Sequence, residues 1–147
     1  MKDFLKEFQE TLTGAVQTLN SISPEQANVA RAEGKWTHKE ILGHLIDSAA
    51  NNHQRFIRVP LQAGVSLPGY QQNDWVTLQH YQDYEWSQLV SFWHLYNLHL
   101  VHVVKHMPAE ALQSTFMLNG ETLGLEFVVR DYLRHLKHHL AQIFEGL

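Results

Sequence analysis

The sequence predicts an all-α fold: a four-helix bundle in which a long crossover joins the second and third helices. Two observations carry this prediction. Four long segments repeat apolar residues at three- and four-residue spacing, which is the period of a helix with one buried face. Strand signals are weak, and only the stretch from Thr115 to Leu118 is a candidate for local pairing. The length of 147 residues fits one domain, which we expect to span residues 1–147.

The first long helix is predicted over residues 2–20. Its apolar residues follow the helical period: Phe4, Leu5, Phe8, Leu12, Val16 and Leu19. After it, Ser23 precedes Pro24, a pair that is typical of a capping residue followed by the first helical position. We therefore expect a short helical turn between the first and second long helices.

The second long helix is predicted to begin at Thr37, because Thr37 and Glu40 have the spacing of a capping box. It runs to about Arg58 and stops before Pro60, since proline disfavours helical geometry at the preceding residue. The connection from Val59 to Asp83 is long for a compact domain, and such connections often carry function. It is long enough to span the bundle, so the second and third helices need not be antiparallel neighbours.

The third and fourth long helices complete the bundle. The third covers roughly Tyr84 to Met107 and ends at Pro108, and the fourth covers about Leu123 to Phe144. The segment 40–45 of the second helix has a weak echo in the segment 131–136 of the fourth. A pseudo-twofold relation between two helix pairs would explain the echo, and chance similarity over six residues would explain it equally.

Composition excludes several functional classes. The net charge is −4, and the 11 Lys and Arg residues are scattered instead of forming a basic face, so we expect no nucleic-acid partner. No apolar run approaches the roughly 18 residues of a membrane span, and the N-terminal segment lacks a signal-peptide core. Without cysteine, the chain has no disulfide, thiolate ligand or cysteine nucleophile, which is compatible with the cytoplasmic location that we expect.

The fourth helix carries the most informative motif of the chain, two histidines four residues apart. His135 and His139 share one side of the helix beside its apolar face, so both rings can reach one divalent cation. His138 points nearly opposite, towards water. A third ligand must come from elsewhere, and His44 of the second helix is the candidate.

A polar stripe continues from His44 along the second helix through Ser48, Asn51 and Arg55. Such a stripe beside an apolar one is typical of a helix that lines a polar cavity, and we expect these three residues to contact a polar or anionic substrate. A hydrated groove edge would give the same pattern, so the stripe alone does not decide between the two interpretations.

The third helix offers a rival histidine set. His102 and His106 repeat the four-residue spacing, and His99 falls on the same side. His106 lies in the last turn, where the helix dipole favours a cationic side chain. His102 points away from the apolar face, so we favour the set on the second and fourth helices.

Three neutral imidazoles are typical ligands of zinc or nickel, and they leave at least one coordination position open. An open site lowers the pKa of a bound water or holds a thiol as its thiolate. Glu40 and Asp131 each lie four residues before a candidate ligand, where they could orient the imidazoles. Carboxylates on a helix surface are more often solvated, and that alternative stays open.

The segments Trp36–Asp47 and His135–Ile143 resemble the DinB-like superfamily, also called the DinB/YfiT-like metalloenzymes. The resemblance covers most of the chain. It implies a four-helix bundle with up-down-down-up topology, a divalent metal, frequent homodimers, and three ligands: His44, His135 and His139. Some members are thiol S-transferases that use bacillithiol or mycothiol, or thiol-dependent isomerases, and others are described as metal-dependent hydrolases.

We therefore expect a metal-dependent enzyme with an open three-His site that acts on a small molecule. The metal would activate a low-molecular-weight thiol for S-transfer or a water for hydrolysis. No glutamate lies inside the fourth-helix motif, which slightly favours thiol chemistry because the metal itself then makes the nucleophile. Aromatic and acidic residues of the crossover could wall the substrate cleft: Tyr70, Asp74, Trp75 and Tyr81. For Tyr70 and Trp75 we favour the alternative that they anchor the long connection on the bundle. The competing hypothesis is a non-catalytic dimeric helical bundle with a structural or vestigial metal.

Overall fold

The computed structural model describes residues 1–145 and 147. Within them lie six α-helices: α1 Lys2–Ser21, α2 Pro24–Ala27, α3 His38–Leu61, α4 Gln72–Leu78, α5 Trp86–Lys105 and α6 Leu125–Phe144. Three short strands accompany them: β1 Ser66–Leu67, β2 Thr115–Leu118 and β3 Glu121–Gly124. Single 3-10 turns cover Tyr81–Asp83 and Ala111–Gln113. The four long helices α1, α3, α5 and α6 correspond to the four that the sequence predicts.

Helix α3 begins as predicted. The Thr37 hydroxyl accepts a hydrogen bond from the Glu40 backbone N–H at 3.3 Å, and the Glu40 carboxylate accepts one from the Thr37 N–H at 2.9 Å. This reciprocal pair satisfies two backbone donors that the first helical turn would leave free. The cap therefore sets where α3 starts and which of its side chains face the core.

The predicted end of α3 before Pro60 is wrong. The helix continues to Leu61, with Pro60 inside its last turn. Proline lacks only its own N–H, and the turn closes around it because the Gln62 N–H donates to the Arg58 carbonyl at 2.9 Å. Val59, which is fully buried, anchors this turn against the core.

The all-α prediction needs correction, because a small three-stranded sheet in the order β1-β2-β3 stands beside the mostly helical part. Strands β2 and β3 form an antiparallel hairpin whose turn residues Asn119 and Gly120 have φ of 50° and 84°. Two successive positive φ values are typical of tight hairpins, and asparagine followed by glycine is their common sequence. Strand β1 pairs parallel to β2, so the long crossover is partly ordered by the sheet.

The core lies between the four long helices. Tyr132 of α6 stands at its centre: its ring is 5.8 Å from that of Phe8 on α1 and 6.0 Å from that of Phe56 on α3. Its hydroxyl donates to the buried Asn97 amide oxygen of α5 at 2.6 Å. These contacts lock α3 against α6, and the faces of α3 and α6 that meet carry the candidate histidines. No helix in the described part of the chain is long and apolar enough to cross a membrane.

Candidate metal centre

The structure brings His44, His135 and His139 together between α3 and α6. One nitrogen from each ring lies within 4.8 Å of the other two. The Nε2 atoms of His44 and His135 are 3.2 Å apart, and the ring centroids of His135 and His139 are 4.5 Å apart. His44 is fully buried, and the two α6 histidines are half-buried. One turn of α6 separates its two rings, which is why both can face the same point.

Burial keeps all three rings neutral. Desolvation is the main cause that lowers the pKa of His44 to about 3, and the nearby imidazoles of His139 and His135 act in the same direction. Burial likewise lowers the pKa of His135 to about 4 and lowers the pKa of His139. Neutral imidazoles keep a lone pair for a cation, so the protonation state suits metal binding at neutral pH.

The donor set fits a borderline divalent cation. Two nitrogens bound to tetrahedral zinc lie roughly 3.3 Å apart, given Zn–N bonds of about 2.0–2.1 Å, and the 3.2 Å between the Nε2 atoms of His44 and His135 matches. The His139 Nδ1 is 2.8 Å from the Gln142 side-chain oxygen, an acceptor, so Nδ1 carries the proton and Nε2 keeps its lone pair. The three imidazoles therefore fit a cation that takes nitrogen ligands.

Glu40 and Asp131 do not orient the imidazoles, contrary to one sequence-based hypothesis. The Glu40 carboxylate is used by the helix cap, and the Asp131 carboxylate accepts two hydrogen bonds from Arg134. The Nδ1 atoms of His44 and His135 are buried and have no hydrogen-bond partner in the described part of the chain. Packing positions His44 instead: the Trp36 ring lies 5.0 Å from its ring.

A cavity of about 180 Å³, called here the inner cavity, borders the centre on the His135 side. Polar residues on its wall include Ser48, Asn52, Arg55 and Tyr70. Two of the three predicted substrate-contacting residues, Ser48 and Arg55, therefore share a cavity with a candidate ligand. On the other side, His139 and Trp36 border a separate cavity of about 400 Å³.

The third predicted contact, Asn51, lies elsewhere. It lines an outer cavity of about 340 Å³ beside the crossover, and its amide donates to the Asp47 carbonyl at 2.9 Å. Sequence reasoning missed Asn52, which lines the inner cavity and accepts a 3.2 Å hydrogen bond from the Arg55 guanidinium. Its spacing of four residues from Ser48 and three from Arg55 was the available signal.

The predicted aromatic wall is only partly present. Tyr70 lines the inner cavity, and Trp75 lies behind it with ring centroids 5.3 Å apart. Tyr81 is buried away from the cavity, and its hydroxyl donates to the Asp47 carboxylate at 2.6 Å. Asp74 is exposed and does not line the inner cavity.

His138 of α6 and the histidines of the rival set at α5 lie outside the candidate centre. His138 is exposed, as expected from its position on α6. His99 and His102 are exposed on α5. His106, which directly follows the last residue of α5, is also exposed, and its Nδ1 donates to the His102 carbonyl at 2.9 Å. Among residues 1–145 and 147, the His44, His135 and His139 set forms the sole cluster of three or more metal-ligating side chains at this spacing.

A bundle of four long helices with three neutral imidazoles between α3 and α6 defines a class, the helical-bundle proteins with a candidate three-His metal centre. Within that class, the chain belongs to the DinB superfamily, whose family model matches residues 7–143.

Relatives agree with this assignment. A protein of Oceanobacillus iheyensis named "putative metal-dependent hydrolase" is 24% identical over 143 residues, which cover 96% of this chain and 82% of the relative. A protein of Bacillus cereus with the same name is 24% identical over 144 residues, covering 95% and 81%.

Two solved structures share the fold. YfiT from Bacillus subtilis, described as a "probable metal-dependent hydrolase with an unusual four-helix bundle topology", matches with a TM-score of 0.89 at 19% identity, over 99% of this chain and 84% of YfiT. The mycothiol-dependent maleylpyruvate isomerase matches with a TM-score of 0.78 at 11% identity. That match covers 95% of this chain and 59% of the isomerase.

Proposed function

We propose that this protein is a metal-dependent enzyme in which His44, His135 and His139 hold a divalent cation, zinc or nickel. The observation that carries the proposal is the convergence of three neutral imidazole nitrogens within 4.8 Å. No cysteine is present to close the coordination sphere, so a position stays open for a ligand. When bound, the cation supplies Lewis acidity that turns a thiol into a thiolate or a water into hydroxide.

The residues of the inner cavity bind and orient a small-molecule substrate. The half-buried Arg55 guanidinium supplies positive charge for an anionic group. The Asn52 side-chain oxygen accepts a hydrogen bond from this guanidinium at 3.2 Å and so fixes its position. Burial raises the pKa of Tyr70, so its hydroxyl stays protonated and can donate to the substrate. Ser48 adds a second hydroxyl on the same wall.

We favour transfer of a low-molecular-weight thiol over hydrolysis. Hydrolysis needs a base near the activated water, and the one carboxylate on the inner cavity wall, that of Asp131, is bound by Arg134. Thiol transfer has less need of such a base, because a coordinated thiol is deprotonated outright, whereas the pKa of coordinated water falls only to about 7. Hydrolysis stays the second candidate, since Asp131 shares the cavity with His135 and releasing it from Arg134 would free a base.

Elemental analysis of the purified protein tests the metal assignment. We expect about one zinc or nickel per chain, lost on His44→Ala and kept on His138→Ala, the matched control for an exposed histidine beside the centre. Full metal content in His44→Ala would refute the assignment. The metal-loaded protein should then turn over a model electrophile with bacillithiol, mycothiol or glutathione. A stable metal-loaded protein without thiol transfer or hydrolysis would favour the non-catalytic bundle.

We also propose a homodimer formed through the outer face of α5. Phe92, Leu95 and Leu98 recur there at three-residue spacing with exposed fractions of 44%, 64% and 41%. Large apolar side chains grouped on one helix face are typical of interfaces. Sedimentation should give a dimer for wild type and a monomer for Leu95→Glu, with Phe127→Glu on α6, another exposed apolar residue at 60%, as control. Equal sedimentation of all three would contradict the interface.

We infer an up-down-down-up order for the long helices. Two contacts of the first turns of α1 support a parallel course of α1 and α6, because the later residue of α1 meets the later residue of α6: Arg130 lies over the Phe4 ring at 5.8 Å, and Lys137 binds Glu7 at 2.7 Å. The first residue of α5, Trp86, donates to the Leu19 carbonyl near the end of α1, which supports an antiparallel course of that pair. A cytoplasmic location also stays part of the proposal, in keeping with the lack of cysteine.

A further inference from the structure

The outer cavity shares one side chain with the inner cavity beside the candidate metal centre. Arg55 lines both the inner cavity, which His135 borders, and the outer cavity of about 340 Å³. Arg58, Asn51 and Gln54 continue the outer cavity along α3. The two cavities are therefore neighbours along α3, with Arg55 on the wall of each.

The two arginines of the outer cavity differ from the other arginines of the chain in their partners. The chain has five arginines, and Arg31, Arg130 and Arg134 each bind a carboxylate within 3.3 Å. Arg55 and Arg58 bind only amide oxygens, those of Asn52 at 3.2 Å and Gln54 at 2.7 Å, within the described chain. The two arginines without a carboxylate are thus the two that line the outer cavity.

The lining leaves this positive charge uncompensated. Among the residues that the structure describes, no Asp or Glu lines the outer cavity, and Arg55 is half-buried, where an unpaired charge is costly. Arg55 and Arg58 are three residues apart on α3, so they lie on the same side of the helix. An anionic group at each guanidinium would neutralise the pair through charge-assisted hydrogen bonds.

The opposite wall belongs to the crossover and is held by backbone pairing. Ser66 and Leu67 of β1 line the outer cavity, and they pair with Met117 and Leu118 of β2. Just beyond, the Gly69 N–H donates to the Asn119 side chain at 3.1 Å. These contacts fix the side of the outer cavity that faces the arginines of α3.

We propose that the outer cavity is a second substrate subsite, in which Arg58 binds the distal anionic group of an elongated organic dianion while Arg55 binds the anionic group nearer the metal centre. The proposal rests on the proposed function for the position of the reacting end. The substrate class is a dicarboxylate or a thiol that carries two carboxylates, and Arg58 is the residue that selects for the second charge.

Calorimetric titration of the metal-loaded protein tests the subsite. The probes are linear dicarboxylates from malonate to suberate and monocarboxylates of matched chain length. Wild type should bind the best-fitting dicarboxylate about tenfold more tightly than its matched monocarboxylate, the gain from one charge-assisted contact. Arg58→Gln should lose this preference without losing monocarboxylate binding. Arg58 is exposed, so the variant should keep its fold, which circular dichroism verifies.

Arg31→Gln is the matched control, because Arg31 lines the cavity on the opposite side of the centre. It should keep the dicarboxylate preference. Equal affinity for mono- and dicarboxylates in wild type, or loss of the preference in Arg31→Gln instead of Arg58→Gln, would overturn the subsite.

Repeating the titration with His44→Ala separates this proposal from the metal assignment. A preference that depends on Arg58 and persists in His44→Ala supports the subsite independently of the metal assignment. A normal metal content without any dicarboxylate preference refutes the subsite alone.

Discussion

His44 is a histidine with no access to solvent, in a chain whose other candidate ligands are half-buried. Its imidazole faces His135 and His139 and lies against Trp36, so protonating it would place a charge among apolar and potentially charged neighbours. That environment explains why its pKa falls to about 3. The sequence identified His44 as a candidate through its motif, but its burial depends on packing from α6.

The lowered pKa values predict that acid destabilises the metal-free protein. Histidines with pKa values of about 3 and 4 in the folded state and 6.5 when unfolded bind more protons in the unfolded chain between these limits. The free energy of unfolding therefore falls as pH drops below about 6.5, by up to a few kcal/mol in total. Urea titrations with chelator should show this slope, reduced in His44→Gln and retained in His138→Gln. A free energy of unfolding of wild type that stays constant from neutral pH to about pH 4.5 would contradict the burial of these rings.

At the scale of the element, α3 carries one of the three candidate ligands, His44, and also holds the crossover. Tyr81 packs directly over Gly43, where any Cβ would overlap its ring. The Tyr81 hydroxyl and the Gln79 amide both donate to the Asp47 carboxylate, at 2.6 and 2.7 Å. The sequence showed Gly43, but the reason for a glycine inside a helix became visible only with its partner.

Gly43→Ala should therefore destabilise the protein, although alanine favours helix by about 1 kcal/mol over glycine. Displacing the buried Tyr81 ring strains its contacts, and overpacking of this kind costs about 1–3 kcal/mol. Gly14→Ala in α1 is the control, because its added Cβ meets nothing within 4 Å. Urea denaturation should show a loss for the first variant and no loss for the second. Equal free energies of unfolding for the two variants would show that the packing of Tyr81 does not require a glycine at position 43.

At the scale of the whole molecule, the candidate centre joins parts of the chain that are far apart in sequence. His44 lies 91 residues from His135, yet their Nε2 atoms approach to 3.2 Å. A cation bound there would tie α3 to α6 and would bind the folded chain far better than the unfolded one. Metal binding should therefore appear directly in the unfolding equilibrium.

Metal removal should lower thermal stability. At a free metal concentration about 1,000 times the dissociation constant, binding stabilises the fold by about 4 kcal/mol, which raises the melting temperature of a chain of this size by roughly 8–16 °C. Calorimetry with and without a chelator measures the shift. His44→Ala should show none, and a shift of wild-type size in that variant would place the metal elsewhere.

The predictable part of the site and fold was the part with a local cause. Helical periodicity predicted the four long helices, and the Thr37–Glu40 box predicted the start of α3. The four-residue spacing on α6 put His135 and His139 on one side. Strand β1 escaped prediction because a strand of two residues is too short to show an alternating pattern. The extension of α3 past Pro60 escaped prediction because packing of the last turn against the core, which the sequence does not show, keeps Pro60 in the helix.

The sequence by itself determined the mostly helical class, the order of the long helices along the chain and the three candidate ligands, because periodicity, caps and residue type act over a few neighbours. Only the tertiary structure decided which side chains share a cavity. Asn52 lines the inner cavity while Asn51 lines the outer one, and Glu40 and Asp131 bind backbone and Arg134 instead of imidazole. The physical reason is that helix geometry fixes the direction in which each side chain leaves the helix axis. The residue that this side chain contacts belongs to another element, whose position depends on the packing of the whole chain.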